Sequence, residues 1–293
     1  MFRLATKFCP IPEAFETARG AGFRAAEFWL SADVLSSWRH VLETARVHPL
    51  YYAVHFPNQR DLNAETVEQA VLLCRDLECT ALVIHQPLFD LYEETLYRLE
   101  PKLPLAVENH QLNHLEFDRW AERNPGLTLD VEHLWKYTLK DGPLDELLAT
   151  LEGFLTRFGD KLHHVHLPGY RIGAQEHGPM HVSPEMVTCV FTLLADYGFE
   201  ELVVSEADEE FQNDADLRRD VALFRSWWNE YSSRDQQPPR SSKDGEPTPG
   251  LPLPEKATSQ RRETIPARPS LPVESEPFHL TSLEIPDETA LSG

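Results

Sequence analysis

Four short runs decide the fold: LPLAVEN (103–109), LTLDVEH (127–133), LHHVHLP (162–168) and ELVVSEA (201–207). Each is a few Leu, Val or Ala residues that break off in an acid or a histidine. Four runs of the same kind precede them: FRLATKF (2–8), FRAAEFWL (23–30), YYAVHF (51–56) and TALVIHQ (80–86). Segments of helical period separate most of them. In AETVEQAVLLCRDL (64–77), Val67, Ala70, Val71, Leu73, Cys74 and Leu77 form one apolar stripe. PLDELLATLEGFLTRF (143–158) and SPEMVTCVFTLLADYG (183–198) read the same way. Eight alternations of strand and helix call for parallel strands joined by right-handed crossovers. About 230 residues suit a compact α/β fold of the (β/α)8 TIM barrel type. A doubly wound sheet of six units is the alternative. No GxGxxG follows the first strand, which counts against a dinucleotide fold.

The pattern stops near residue 231, which divides the chain into a barrel over 1–230 and a tail over 231–293. The tail is rich in Pro, Ser and Glu and poor in aromatic residues. Such a composition buries too little apolar surface to offset chain entropy, so disorder is expected there. FHLTSLEIPDETALSG (278–293) regains some apolar character and reads as an ordinary tail end. The net charge of the chain is −21, and residues 1–230 carry 20 Lys and Arg against 38 Asp and Glu, a net of −18. A surface this acidic repels phosphate backbones, so nucleic acid is not an expected partner. No run of apolar residues is long enough to cross a membrane, and the first residues lack the pattern of a signal peptide. Cys9, Cys74, Cys79 and Cys189 show no CxxC spacing. They read as reduced thiols, mostly buried small hydrophobes, in a cytoplasmic protein.

The chemistry lies at the strand ends. Strand three ends in His55, strand four in His85, strand five in Glu108 and strand six in Asp130, with His133 three residues on. Strand seven carries His164 and His166 on one face, and strand eight ends in Glu206. In a parallel barrel these ends converge on one mouth. One such residue alone reads as a helix cap or a structural histidine. Six consecutive strands ending this way would bury many ionisable groups together, which is costly without a counter-charge. A divalent cation supplies it, with carboxylate and neutral imidazole as ligands.

The set AVHFPNQRDLN (53–63), LVIHQP (82–87), LAVENH (105–110), LTLDVEH, HHVHLPG (163–169), EHGPMHVSPEMV (176–187) and LVVSEAD (202–208) resembles the xylose isomerase-like barrel superfamily across residues 1–230. That superfamily holds sugar isomerases and epimerases, inosose dehydratases and endonuclease IV. The resemblance implies Glu108, Asp130, His166 and Glu206 as ligands of one metal. It also implies His133 in the substrate pocket and His177 in the loop after strand seven. Two departures stand out. Where endonuclease IV has an Asp that holds a third metal, this chain has Gln175, with Glu176 one residue out of register. Arg171 lies near the loop arginine of many sugar epimerases, and an ordinary surface role competes with that reading.

The expected activity is a metal-dependent isomerase or epimerase acting on a small polyol or sugar, sugar phosphates and inositols included. Glu108 and Glu206 would transfer the proton beside a carbonyl. His55, His85, His133, His177 and Arg171 would contact substrate. Mn2+ leads the metals, with Co2+, Mg2+ and Zn2+ as alternatives. Glu27 in AAEFW would orient a ligand or be structural, and Trp29 reads as a core aromatic before a pocket wall. A lyase or dehydratase, which begins with the same proton abstraction, shares this reading. Against it stand an endonuclease IV-like phosphodiesterase for abasic sites, to which His55 and His85 lend support, and a non-catalytic barrel scaffold. Oligomeric state is left open, a homodimer included.

Overall fold

The computed structural model describes residues 1–234. Eight strands form where the eight runs were read: β1 Arg3–Phe8, β2 Ala25–Trp29, β3 Tyr51–His55, β4 Leu82–His85, β5 Leu105–Glu108, β6 Leu127–Asp130, β7 Leu162–His166 and β8 Leu202–Ser205. They pair in parallel in chain order, and β8 closes on β1. The helices are α1 Pro12–Ala21, α2 Ala32–Ser36, α3 Trp38–Arg46, α4 Ala64–Asp76, α5 Gln86–Leu99, α6 His114–Arg123, α7 Val131–His133, α8 Leu144–Phe158, α9 Pro184–Asp196 and α10 Asp214–Arg234. Short α7 runs into a π-helical turn at Leu134–Thr138. The helical path of α10 continues through the boundary expected at 230/231. The expected disorder beyond Arg234, and the apolar stretch at 278–293, lie outside the described residues. No helix among the described residues is long and apolar enough to cross a membrane.

Local signals set the helix ends. The Asn63 side chain accepts the Thr66 N–H at the start of α4. Asn113 and Glu116 form a reciprocal capping box on α6. Gly22 ends α1 at φ 107°, a conformation that disfavours any side chain. The stripe read on α4 is the face it buries, with Leu77 packed partly buried beside it.

Alternate strand residues face the same side. The outward set includes Leu4, Phe28, Val54, Ile84, Val107, Leu129, Val165 and Val203, all buried in the core shared with the helices. Each such side chain stabilises the fold by roughly 1.5–3 kcal/mol. The inward set is different. Ala5, Ala25, Ala53, Ala81, Val83, Ala106, Leu202 and Val204 form a second cluster inside the barrel, and five of the eight are alanine, where bulky branched residues usually dominate. Two residues above Ala5, Ala25, Ala53, Val83, Ala106, Thr128, His164 and Val204 come Lys7, Glu27, His55, His85, Glu108, Asp130, His166 and Glu206. Every strand of the barrel therefore delivers one ionisable group to the same level.

Helix α10 seals the opposite region. Trp227 stacks on Phe2 at 5.5 Å between ring centroids and packs against Phe191. Cys74 and Cys79 are buried as expected, whereas Cys9 is exposed.

Candidate metal centre

The ligand atoms of Glu108, Asp130, His166 and Glu206 all lie within 4.8 Å of one another. His166 Nδ1 is 2.7 Å from Glu206 Oε2, 3.5 Å from Glu108 Oε1 and 3.9 Å from Asp130 Oδ2. Asp130 Oδ2, His166 Nδ1 and Glu206 Oε2 are buried and make no well-formed hydrogen bond; they meet only ion-pair contacts with one another, Glu108 and His133. An unsatisfied buried polar atom costs about 1–3 kcal/mol, more when charged. Three of them aimed at one point, with a fourth carboxylate oxygen beside them, fit a divalent cation with oxygen and imidazole ligands.

The other atom of each ligand is held in place. Asp130 Oδ1 accepts the His133 N–H at 2.7 Å, so the residue caps α7 and still turns Oδ2 to the cluster. The Asn109 side chain grips the backbone of Asp130 twice, accepting its N–H at 2.7 Å and donating to its carbonyl at 2.9 Å. His166 Nε2 lies 2.9 Å from Glu27 Oε2, and His164 Nε2 lies 2.5 Å from the same oxygen. A carboxylate behind a ligating histidine orients the ring and raises its basicity. Glu108 Oε2 faces His55 Nε2 at 3.1 Å and His85 Nε2 at 3.3 Å. Glu206 Oε1 is bonded by the Lys7 ammonium, which also lies 3.2 Å from Glu27 Oε1.

The electrostatics follow from this packing. Burial pushes the Glu27, Glu108 and Glu206 carboxyls up, but the His166 charge leads the cations that hold them well below the usual range. Burial opposes the charged form of His166, and Glu206, Glu27 and Glu108 overcome it and raise its pKa. Asp130 goes the other way: burial, with the Glu206 and Glu108 charges, raises it despite His133. It is the one carboxylate of the four whose pKa is raised rather than lowered.

Of the residues expected to contact substrate, the fold brings four to the cluster or its edge. His55 and His85 stand against Glu108 in a T-shaped pair, ring centroids 5.1 Å apart. His133 Nδ1 lies 3.5 Å from both Glu108 Oε1 and Asp130 Oδ2. The loop after β7 is closed by a bridge in which the Gly169 N–H donates to the Gly178 carbonyl at 2.7 Å. A Cβ on Gly169 would meet the Pro179 carbonyl oxygen at 1.9 Å, so only glycine passes there. The loop presents His177 at φ 56°, its N–H on buried Glu132 at 3.0 Å. His177 and Glu176 form a further group with His133. Lys136, at 2.5 Å, and the Tyr137 hydroxyl hold Glu176. Arg171 is not brought to the cluster; it is exposed, with Nε donating to the Val182 carbonyl at 2.5 Å. Gln175 donates instead to Asp208 at 3.2 Å. Trp29 is 55% exposed, not in the core, because its position on the inner face lies one step above the buried level of Glu27.

Sequence reasoning missed Lys7, Asn109, His110, Glu132 and Asp220. Lys7 had a signal: it sits at the strand-end position of the first strand, like Glu27 in the second. His110 stacks on His85 at 4.3 Å. Glu132 is pushed up to about 8, by burial first and then the Asp130 charge.

No protein-family profile matches the sequence, and no curated protein matches it. Among solved structures, an L-ribulose 3-epimerase is 13% identical, with a TM-score of 0.50 over 84% of this chain and 100% of that one. A D-allulose 3-epimerase from Methylomonas sp. is 12% identical, with a TM-score of 0.52 over 77% of this chain and 98% of that one. At these identities the likeness shows the fold: this chain has the closed eight-stranded parallel barrel that it shares with those two sugar epimerases.

Proposed function

We propose that the chain is a divalent-metal-dependent isomerase or epimerase of a small sugar or polyol, with Glu108 and Glu206 as the proton-transfer pair. The observation that carries this reading is the crowding of four ligand atoms, from Glu108, Asp130, His166 and Glu206, within 4.8 Å of one another in a buried site. Their likeness in fold to two sugar 3-epimerases supports the substrate class. Glu108, Asp130, His166 and Glu206 would hold the ion, Mn2+ by preference. When bound, the cation supplies the charge that holds and polarises a substrate's carbonyl and hydroxyl oxygens.

The chain's own groups do the rest. Glu108 and Glu206 are both kept ionised by neighbouring cations, so each is in the unprotonated form that a base needs, although the same cations weaken it as a base. Glu206 is 14% exposed and Glu108 1%, so Glu206 is the one that trades its proton with water. His133, buried beside Glu108 and Asp130, and the half-buried His177 would donate to substrate hydroxyls.

The test is solvent deuterium incorporation into D-allulose and L-ribulose by Mn2+-loaded protein. Glu108→Gln and Glu206→Gln are each expected to lower the rate by at least ~10²-fold with the fold retained. Near-normal exchange in either variant would remove the paired-carboxylate mechanism. One observation favours a second reading, phosphodiester hydrolysis at a two-ion site: His55, His85 and Glu108 form a further ligand group that shares Glu108. Two zinc ions per chain and cleavage of abasic DNA would select it; the net charge of −18 over residues 1–230 argues against it.

A further inference from the structure

Lys7 is unlike any other group at the barrel mouth. It is register-paired with Glu27 on the inner face of β1 and β2, and its side chain is 12% exposed. Its ammonium bonds Glu206 Oε1 and lies 3.2 Å from Glu27 Oε1. Glu206 thus has an ammonium on one oxygen and turns the other toward His166 Nδ1 and the ligand cluster. Glu27 likewise has Lys7 near one oxygen and His164 and His166 on the other. Lys7 is therefore a fixed cation that shares a carboxylate with the candidate metal position and is bound to the group that orients the histidine ligand.

We propose that Lys7 is a positioning residue that acts as the cluster's resident cation: it keeps Glu27 and Glu206 folded together without a metal, holds Glu206 to one free oxygen, and so limits how tightly a divalent ion binds. This deepens the metal-dependent reading and rests on it. The physical reason is that two cations on opposite oxygens of one carboxylate repel, and that burial strengthens such interactions. Removing the ammonium takes away the repulsion and frees the second oxygen of Glu206. It also leaves Glu27 and Glu206 sharing His166 as their remaining close cation in the metal-free protein. Affinity and metal-free stability must then move in opposite directions. A lysine that merely filled space would produce neither change.

The experiment compares the full-length chain with Lys7→Met, which keeps the length and removes the charge, and Lys7→Arg, which keeps the charge. Thermal unfolding is followed by circular dichroism in chelator, and Mn2+ affinity by the electron paramagnetic resonance of the free ion. Lys7→Met is expected to unfold at a lower temperature in chelator and to bind Mn2+ about tenfold or more tighter than the parent. Lys7→Arg is expected to stay close to the parent in both. Equal or weaker Mn2+ binding by folded Lys7→Met, with the parent binding normally, would overturn the proposal and leave the metal site standing. No Mn2+ binding by either protein would overturn both. If Lys7→Met folds only with Mn2+ present, the proposal gains support. If it folds in neither condition, Lys7→Met combined with Glu27→Gln removes one charge of each sign. That double variant is expected to bind Mn2+ more tightly than Glu27→Gln alone, and weaker binding would overturn the proposal.

Discussion

At the scale of single residues, the site is a set of carboxylates whose two oxygens have different duties. Asp130 caps α7 with one and offers the other to the cluster, and Glu27 orients His166 with one while the other faces Lys7. Replacing Glu27 by Gln keeps the shape and removes the charge that fixes the His166 ring. Loss of such an outer carboxylate typically weakens metal binding about 10- to 100-fold. Titration calorimetry with Mn2+ on Glu27→Gln checks this, and unchanged affinity would mean that Glu27 is structural only. His110 gives a prediction in pH. Burial first, then the His85 and His133 charges, push its pKa from the ordinary 6.5 down to about 3. Between those values the unfolded chain binds a proton that the fold refuses, so stability is lost as pH falls from 6.5 toward 3. In chelator, His110→Gln should lose less stability than the parent between about pH 7 and about pH 5, by roughly 2 kcal/mol. Parallel melting curves for the two proteins across that range would show that His110 does not carry the effect.

At the scale of elements, the loop from β7 to α9 connects site and scaffold. Buried Asp220 on α10 accepts the Met180 N–H at 3.1 Å, the His181 N–H at 2.9 Å, and Ser205 Oγ at 2.7 Å, and pairs with His181 Nδ1 at 2.8 Å. One carboxylate thus ties the loop bearing His177 to β8 and α10. Asp220→Ala removes the acceptor of two backbone N–H groups, the Ser205 hydroxyl and the His181 ring and strands buried donors, a loss of about 3 kcal/mol. The melting temperature should fall by roughly 10 °C, and any sugar accepted by the parent should show a raised KM as His177 loses its place. An unaltered KM with a lowered melting temperature would confine Asp220 to stability. None of this clasp was legible in the sequence, because Asp220 lies in an ordinary amphipathic helix far from any motif. The strands were legible, because apolar runs that end in an acid or histidine are short and regular. Glu108, Asp130, His166 and Glu206 stood among the strand-end acids and histidines for the same reason, since strand-end positions need no knowledge of loops, and the resemblance singled them out from that wider list. Lys7 occupies such a position too, but a search for metal-binding side chains passes over a lysine. Trp29 was misplaced because alternation gives the face of a strand, not the height at which the barrel opens. Arg171 shows the same limit in a loop, where the backbone path decides direction and sequence spacing does not.

At the scale of the molecule, the question is how much of the chain the site requires. All eight strands and the helices around them close within residues 1–234, and β8 pairs directly with β1. The last helix is part of that closure. Trp227 stacks on Phe2 from the start of the chain, Tyr231 stacks on Trp227 at 5.3 Å, and the Tyr231 hydroxyl donates to Asp196 on α9. A boundary at 230/231, drawn where the composition changes, would therefore cut through a working helix. We propose that residues beyond Arg234 are dispensable for metal binding and turnover, whereas the end of α10 is not dispensable for the fold. A chain ending at Arg234 should bind Mn2+ and exchange deuterium like the full-length protein. A chain ending at Arg225 loses Trp227, whose burial is worth about 1.5 kcal/mol or more, and the half-buried Trp228 and Tyr231 packed beside it. It should melt at least ~5 °C lower, with aggregation through the exposed Phe2 and Phe191 as the visible consequence. If the chain ending at Arg234 instead lost turnover while keeping its melting temperature and its Mn2+ affinity, the tail would be part of the proposed catalytic apparatus, and a barrel-only account of this chain would fail.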